Sequence, residues 1–266
     1  MSLDLLVVIK GAGEMASGVA WRLANAGFRV LMTERPEPLA VRRGTSFCEA
    51  VTLGSCTVEG REAVLIQAPD QAEAVWRSGC LPLLVDPGLE CLESLRPDVL
   101  VEATVSKCNT GVSLDLAPLV IALGPGYLAG VDCHYVVETN RGHDLGRIIA
   151  TGLAAPNTGI PGTIGGYNRE RVLRAPMAGR FETPLALGAR VTAGQEVASV
   201  DGQPIRVAIS GALRGLLRSG VMVTAGCKVG DVDPRDNPGQ AFTISDKARA
   251  LGGAVLEAIL RRYNRP

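Results

Sequence analysis

LDLLVVIKGAGEMASGVAWRLANAGFRVLMTE, Leu3 to Glu34, is the stretch that decides the fold of the first half of this chain. Leu3 to Ile9, LDLLVVI, is a buried-strand pattern, apolar apart from Asp4. Gly11, Gly13 and Ala16 then occupy the positions of a G-x-G-x-x-A turn. MASGVAWRLANAG continues at helical spacing, with Val19, Leu23 and Ala26 on one face and Gly27 as its stop. Phe28 to Thr33 is a second strand, and Glu34 stands at its end. Strand, glycine turn, helix, strand and acid in this register predict a Rossmann-like α/β unit built on a parallel sheet. In such a unit Gly11 permits the tight turn and Gly13 lets a diphosphate reach the helix N-terminus. Glu34 is placed to accept from ribose hydroxyls. Glu14 works against this use, because an acid inside the turn repels an anion. Arg35, Arg42 and Arg43 follow the second strand, either to counter a phosphate or as a solvated face.

Further strands read at Ala63–Ile66, Leu81–Val85, Val99–Ala103 and Leu119–Leu123, with a helix from Ala72 to Gly79. Three of the strands run into polar or glycine-rich segments: Asp86-Pro87-Gly88, Thr104 to Thr110, and Gly124-Pro125-Gly126. Open parallel sheets bind ligands at the carboxyl ends of their strands. Gly11, Gly13, Lys107, Gly124, Gly126, His134 and His143 are therefore expected to border one cleft, with Asp86 and Asn109 nearby.

Both histidines fall in GVDCHYVVETNRGHD, Gly130 to Asp144, around a strand-like Tyr135–Glu138. They are nine residues apart and so do not share a helical face. His134 and His143 are candidate acid–base groups of a ligand-binding or catalytic loop. Metal ligation and simple loop-shaping hydrogen bonds are the competing readings, and no residue is assigned to a metal. Cys108 beside Lys107 and Cys133 beside His134 are the thiols whose neighbours favour a thiolate.

Composition narrows the classes. Hydrophobic residues make up 47% of the 266 and aromatics only 4%, so the core is built from Ala, Val, Leu and Ile, as in buried parallel sheets. Lys and Arg total 27 against 27 Asp and Glu, which gives no field for nucleic acid or anionic lipid. No apolar run is long enough to span a bilayer, and the first residues read as strand rather than leader. Seven cysteines without a CxxC pair point to a reduced, cytoplasmic chain without a zinc ribbon.

Gly152 to Asn168 reads as a linker. Beyond it the sequence repeats at an offset of 32: GxxVTAGxxVxxVD begins at Gly188 and again at Gly220, and Gly179 recurs as Gly211. Register kept without a gap predicts two similar β units. The pattern resembles the biotinyl/lipoyl domains, a barrel-sandwich of two such halves, whose carrier lysine sits in the turn between them. Here that turn, VDGQPI (Val200 to Ile205), holds no lysine, so the expectation is a docking or covering module. The organisation expected is a Rossmann-like domain over 1–165, a barrel-sandwich domain over 172–240, and a terminal helix over 241–266 capped by Ser245.

The chain resembles the selenium-dependent molybdenum hydroxylase system proteins of the YqeB type. The resemblance rests on GAGEMASGVAWRLANAGFRV, PLAVRRGTSFCEAV, ALGPGYLAG, VDCHYVVETNRGHDLG, RVLRAPMAGRF, IRVAISGALRGL, KVGDVDPR and TISDKARALGGAVLEAIL. The N-terminal half is also similar, at the level of fold, to the XdhC maturation factors of xanthine dehydrogenase. This resemblance implies an accessory or maturation protein for molybdenum hydroxylases that need labile selenium, and it supplies no catalytic roles. The partner implied is a hydroxylase or its maturation machinery. The ligand expected is a nucleotide of NAD(P) type or the molybdopterin nucleotide, with Gly11, Gly13, Glu34, Arg42, Arg43, Gly124 and Gly126 around it. Two other functions compete: an NAD-dependent oxidoreductase, and a scaffold that docks a hydroxylase.

Overall fold

Strands that are apolar on both faces need cover on both faces, and that need organises the first half of the molecule. A computed structural model describes residues 4–264. Leu3 of the expected first strand and the last two residues of the expected terminal segment lie outside them. The described residues divide into two units. Unit 1 takes the chain up to Pro38, Ser46–Asn157 and the chain from Ile244 on; unit 2 takes Leu39–Thr45 and Thr158–Thr243.

Unit 1 contains β1 (Leu6–Lys10), β2 (Arg29–Glu34), β3 (Ser55–Val58), β4 (Arg61–Ile66), β5 (Leu81–Val85), β6 (Val99–Glu102), β7 (Leu119–Leu123), β8 (Leu128–Ala129), β9 (Tyr135–Val137), β10 (Ile148–Ile149) and β11 (Gly152–Leu153). Nine of them form one mixed sheet in the order β10-β9-β7-β6-β1-β2-β5-β4-β3. Pairing is parallel from β4 through to β9, and antiparallel only at the two ends, β3–β4 and β9–β10. Unit 1 is thus an α/β unit on a large, mostly parallel sheet. β1, β6 and β7 are buried along their whole length.

Its helices are α1 (Glu14–Asn25), α2 (Ala50–Leu53), α3 (Ala72–Arg77), α4 (Leu92–Leu95) and, from the far end of the chain, α5 (Asp246–Tyr263). Between β6 and β7 the chain makes no α-helix, only a 3-10 turn at Leu114–Leu116. Cover comes instead from α5, which packs on α1 and reaches β7 and β9. Gly18 and Gly252 allow this crossing. A Cβ on Gly18 would fall 2.7 Å from Ala248 Cβ, and one on Gly252 would fall 2.9 Å from Gly18 O. The Ser245 hydroxyl caps α5 by accepting from Ala248 N–H at 3.3 Å. The terminal helix is therefore part of unit 1 rather than a separate tail.

Unit 2 contains β12 (Val172–Arg174), β13 (Gly179–Glu182), β14 (Arg190–Val191), β15 (Glu196–Val200), β16 (Gln203–Arg206), β17 (Gly211–Leu216), β18 (Met222–Val223) and β19 (Lys228–Asp233). They form two four-stranded sheets, β12-β19-β17-β14 and β16-β15-β13-β18. The 32-residue offset carries β12–β15 onto β16–β19, and so exchanges one sheet with the other. Both copies of the leading glycine are used in the same way. Gly179 and Gly211 have φ of +153° and +152°, and a Cβ there would come within 2.1 Å of Asp201 Oδ2 and 2.3 Å of Asp233 O. Asp201-Gly202 joins β15 to β16 as a two-residue turn with both φ positive, which suits the twist of a hairpin.

Segment 39–45 lies in this second unit, not in the first. Arg42 is buried there, with its guanidinium donating to the carbonyls of Arg214 and Gln240 at 2.9 Å and of Thr243 at 3.1 Å. Arg43 Nε donates to Leu216 O at 2.8 Å. The expectation that Arg42 and Arg43 serve the glycine turn as phosphate ligands is corrected: both hold unit 2 together through backbone carbonyls. A separating reason is visible in the chemistry, since Val41 O also accepts from Leu216 N–H, which ties the segment to β17 as backbone.

Candidate functional site at the carboxyl edge of the sheet

From β1 the chain proceeds to β2 on one side, while β6 leads to β7 and β9 on the other. The crevice between β1 and β6 is therefore the topological switch point, where open α/β sheets place ligands. Lys10 ends β1, Glu102 ends β6, and the two are paired across the sheet. Glu102 is fully buried and Lys10 nearly so. Lys10 Nζ lies 3.9 Å from Glu102 Oε2 and donates to Thr110 O at 2.9 Å and Thr110 Oγ1 at 3.2 Å. Thr110 Oγ1 donates to Glu102 Oε2 at 2.6 Å, and Thr104 N–H donates to Oε1 at 2.9 Å. The hydroxyl of buried Tyr127 sits 3.3 Å from Thr110 Oγ1 and 3.4 Å from Ser106 Oγ. Burial pushes that phenol up from its ordinary range.

This network pins the loop from Thr104 to Thr110 from beneath. Lys107 and Cys108 stand exposed at its tip. Val105 and Lys107 are held at φ of +54° and +69°, a left-handed conformation that costs on the order of 1–3 kcal/mol each for such residues. The Asn109 carboxamide stiffens the return by accepting from Gly111 N–H and Val112 N–H. Gly126 is required by this loop, because a Cβ there would meet Cys108 N at 2.5 Å. Gly124 is required by Thr139, whose Oγ1 would lie 2.6 Å from a Cβ. The two glycines make room for protein rather than for a cofactor, which corrects their assignment as cofactor-binding residues.

The glycine turn after β1 does not fit a dinucleotide. Ala12 N–H is donated to Glu34 Oε2 at 3.0 Å, while Glu34 Oε1 accepts from Arg35 N–H. Cys48 N–H donates to Ala12 O, and Phe47 N–H to Ser17 Oγ, so segment 46–48 lies over the start of α1. Gly11 and Ala12 are buried; Gly13 is half-buried with open space where a Cβ would stand. Two acids, Glu14 and Glu34, already stand at the positive end of α1. A diphosphate would have to displace Glu34 from Ala12 and tolerate Glu14.

The expectation that His134 and His143 share a cleft is also corrected. His134 immediately precedes β9, at the amino edge of the sheet. Its Nδ1 accepts from Val120 N–H at 3.0 Å, and the backbone N–H of His134 donates to Val120 O. His143 is exposed in the loop from Glu138 to Arg147, beyond the carboxyl end of β9. His134 is a staple between β7 and β9: burial, and then the nearby Arg262, hold its imidazole below the ordinary range. The unfolded chain binds the proton more readily, so this contribution is complete above about pH 6.5 and is lost as pH falls through the lower folded value. Acidification from pH 7 to pH 5 is expected to lower the melting temperature, and less so in His134→Asn, whose Oδ1 can keep the Val120 contact. Parallel melting curves for the two proteins would sink this assignment.

No family model matches the chain. The uncharacterized protein YqeB of Escherichia coli (strain K12) is 46% identical over 255 residues, covering 96% of this chain and 47% of that protein. This similarity supports a YqeB-type family. The chain spans about half the length of that curated relative. Among solved structures, an aspartoacylase family protein of Mesorhizobium loti aligns at 14% identity over 86% of this chain and 84% of that one, with a TM-score of 0.28. The product-bound ectoine utilization protein EutE (DoeB) of Ruegeria pomeroyi aligns at 10% identity over 86% and 85%, with a TM-score of 0.27.

The thiols separate by environment. Burial pushes Cys56 up to about 11 and Cys133 up to about 12, and raises Cys91 as well. Cys133 is fully buried, so its expected activation by His134 is corrected. Cys108 is the exposed one. Sequence reasoning passed over Lys10, Glu102, Thr110 and Tyr127, although a charged residue closing an apolar strand (LVVIK, VLVE) is a legible signal. It also passed over Lys247 in the first turn of α5. Burial and Arg141 push that amine down, against Glu14, Glu138 and Asp246. Among the described residues, no three His, Cys, Asp or Glu side chains gather as a metal-holding group, and no helix is long and apolar enough to cross a membrane.

Proposed function

We propose that this chain is an accessory protein of selenium-dependent molybdenum hydroxylases, acting in the reducing cytoplasm at the carboxyl edge of the unit 1 sheet. Cys108 is its reactive thiol and Lys107 the cation beside it. The family-level similarity supplies the context. The observation that carries the site is the exposed Lys107–Cys108 tip on a strained loop anchored by the buried Lys10–Glu102 pair at the switch point. A fixed, exposed thiol beside a cation suits chalcogen transfer. The Cys108 thiolate attacks the terminal sulfur or selenium of a persulfide-type donor. The donor's chalcogen–chalcogen bond breaks as the new one forms, the donor leaves as its thiolate, and no net oxidation occurs. The hydroxylase or its maturation machinery is the recipient. An anionic ligand of nucleotide or pterin type is placed over Lys107 rather than at Gly13. Glu34 holds the Ala12 N–H that a dinucleotide phosphate would need, which disfavours an NAD-dependent oxidoreductase. Unit 2 is in this reading a barrel-sandwich module of biotinyl/lipoyl type without a carrier lysine, used for docking.

Limiting iodoacetamide, read by peptide mass, tests the thiol. Cys108 is expected to label at least tenfold faster than half-buried Cys80 and faster still than buried Cys48. Labelling of Cys108 no faster than of these two ends the transfer role.

A further inference from the structure

Unit 2 carries a cleft of about 250 Å³ between β12 and β16. Four pairs of its lining residues are related by the 32-residue offset, among them Leu173 with Ile205 and Arg174 with Arg206. The cleft therefore straddles the pseudo-dyad of the repeat. Each arginine is clamped by the same device. Arg174 Nη1 donates to Gly226 O at 2.8 Å, and Arg206 Nη1 donates to Gly194 O at 3.3 Å, these glycines being equivalent in the repeat. One carbonyl bond orients each guanidinium and leaves most of its five donors unspent.

Charge is where the two halves part company. Arg206 is paired across the strands with Glu196, and Nη2 bonds Oε2 at 2.9 Å. The equivalent of Glu196 is Lys228, which is the cross-strand partner of Arg174. Like charges directly opposite in a sheet are unfavourable. Arg169 adds a third guanidinium to the lining, with Glu170 as the acid beside it. The cross-strand pair at Arg174 thus lacks the carboxylate that the pair at Arg206 has, and both arginines line the same space. Apolar walls from Leu173 and Ile205 lower the local dielectric and strengthen any charge met there.

We propose that this cleft binds a compact phosphate-type anion with two charged ends, inorganic pyrophosphate being its simplest form. One end replaces the missing carboxylate at Arg174, and the other is taken by Arg206 across the dyad. Guanidinium forks match phosphate oxygens in pairs. The volume lies below the roughly 300–1,000 Å³ of drug-sized sites, which selects a small ligand.

Calorimetric titration of the full chain with pyrophosphate at low ionic strength tests this. One site per chain is expected, weakening at least tenfold in Arg174→Gln and in Arg206→Gln. Lys228→Glu restores the cross-strand pair without touching the lining, and it too is expected to weaken binding at least tenfold. Orthophosphate and succinate are expected to bind at least tenfold more weakly than pyrophosphate. Absence of saturable binding, unchanged affinity in both arginine variants, or succinate binding as tightly as pyrophosphate would overturn the proposal.

Discussion

Asp231→Ala is expected to destabilise unit 2 by about 3–5 kcal/mol, the cost of breaking a buried ion pair from one side. Asp231 is fully buried in β19. Its Oδ1 accepts from Arg171 Nη1 at 3.1 Å, and its Oδ2 accepts from Arg214 Nε at 3.0 Å and from Arg214 Nη2. Arg171 is itself buried, and Arg214 is mostly covered. Alanine leaves two guanidiniums facing each other in the interior. Asp233, with Arg235 on its other side, lies 3.7 Å from Arg214 and cannot answer both. Because both tryptophans belong to unit 1, the readout is amide exchange of peptides spanning 211–216 and 228–233. Where unit 2 unfolding governs exchange, rates are expected to rise by about two to nearly four orders of magnitude. An increase of less than tenfold would show that the cluster is solvated in practice. Replacing the three ionic groups together by apolar residues of similar volume is expected to be far milder, because no charge is left behind.

That cluster also shows why a repeat is readable and its interior charges are not. The pattern at Gly179, Val191, Gly194 and Val197 recurs because each position meets a backbone demand or a core contact that both halves share. Asp231 and Arg214 fall at the offset equivalents of Ser199 and Glu182 and obey no such rule. The same distinction runs through unit 1. The register from Leu6 to Glu34 is legible because strand, turn and helix each have their own period. The return of α5 onto α1 is not, since Gly18 and Gly252 sit inside helices, where glycine reads as a defect. Its value appears only in the close approach of another backbone. Likewise nothing local in GVDCHYVVETNRGHD says that one histidine stands at each edge of the sheet. The parallel pairing of β7 with β9 decides it.

Lys10→Met is expected to cost a similar 3–5 kcal/mol and to free the loop that carries Cys108. Methionine keeps most of the stem but removes the cation, leaving the Glu102 carboxylate at zero exposure with only hydroxyl and amide donors around it. The Lys10 donors to Thr110 O and Oγ1 vanish together, so the far end of the loop keeps only the Thr110 hydroxyl bond to Glu102 while Val105 and Lys107 still hold strained φ values. Relaxation of that strain then favours the released loop. Two readouts separate the effects. Denaturation followed by Trp21 and Trp76 fluorescence reports unit 1, and a loss under about 1 kcal/mol would class the pair with solvated surface bridges. Exchange at residues 104–111 reports the loop, and it is expected to rise beyond the global change. The double variant Lys10→Met/Glu102→Leu removes the stranded charge and is expected to recover much of the stability. It does not recover the Thr110 anchor, so the loop stays mobile. If both readouts recover together in the double variant, the pair serves stability alone and the presentation of Cys108 does not depend on it.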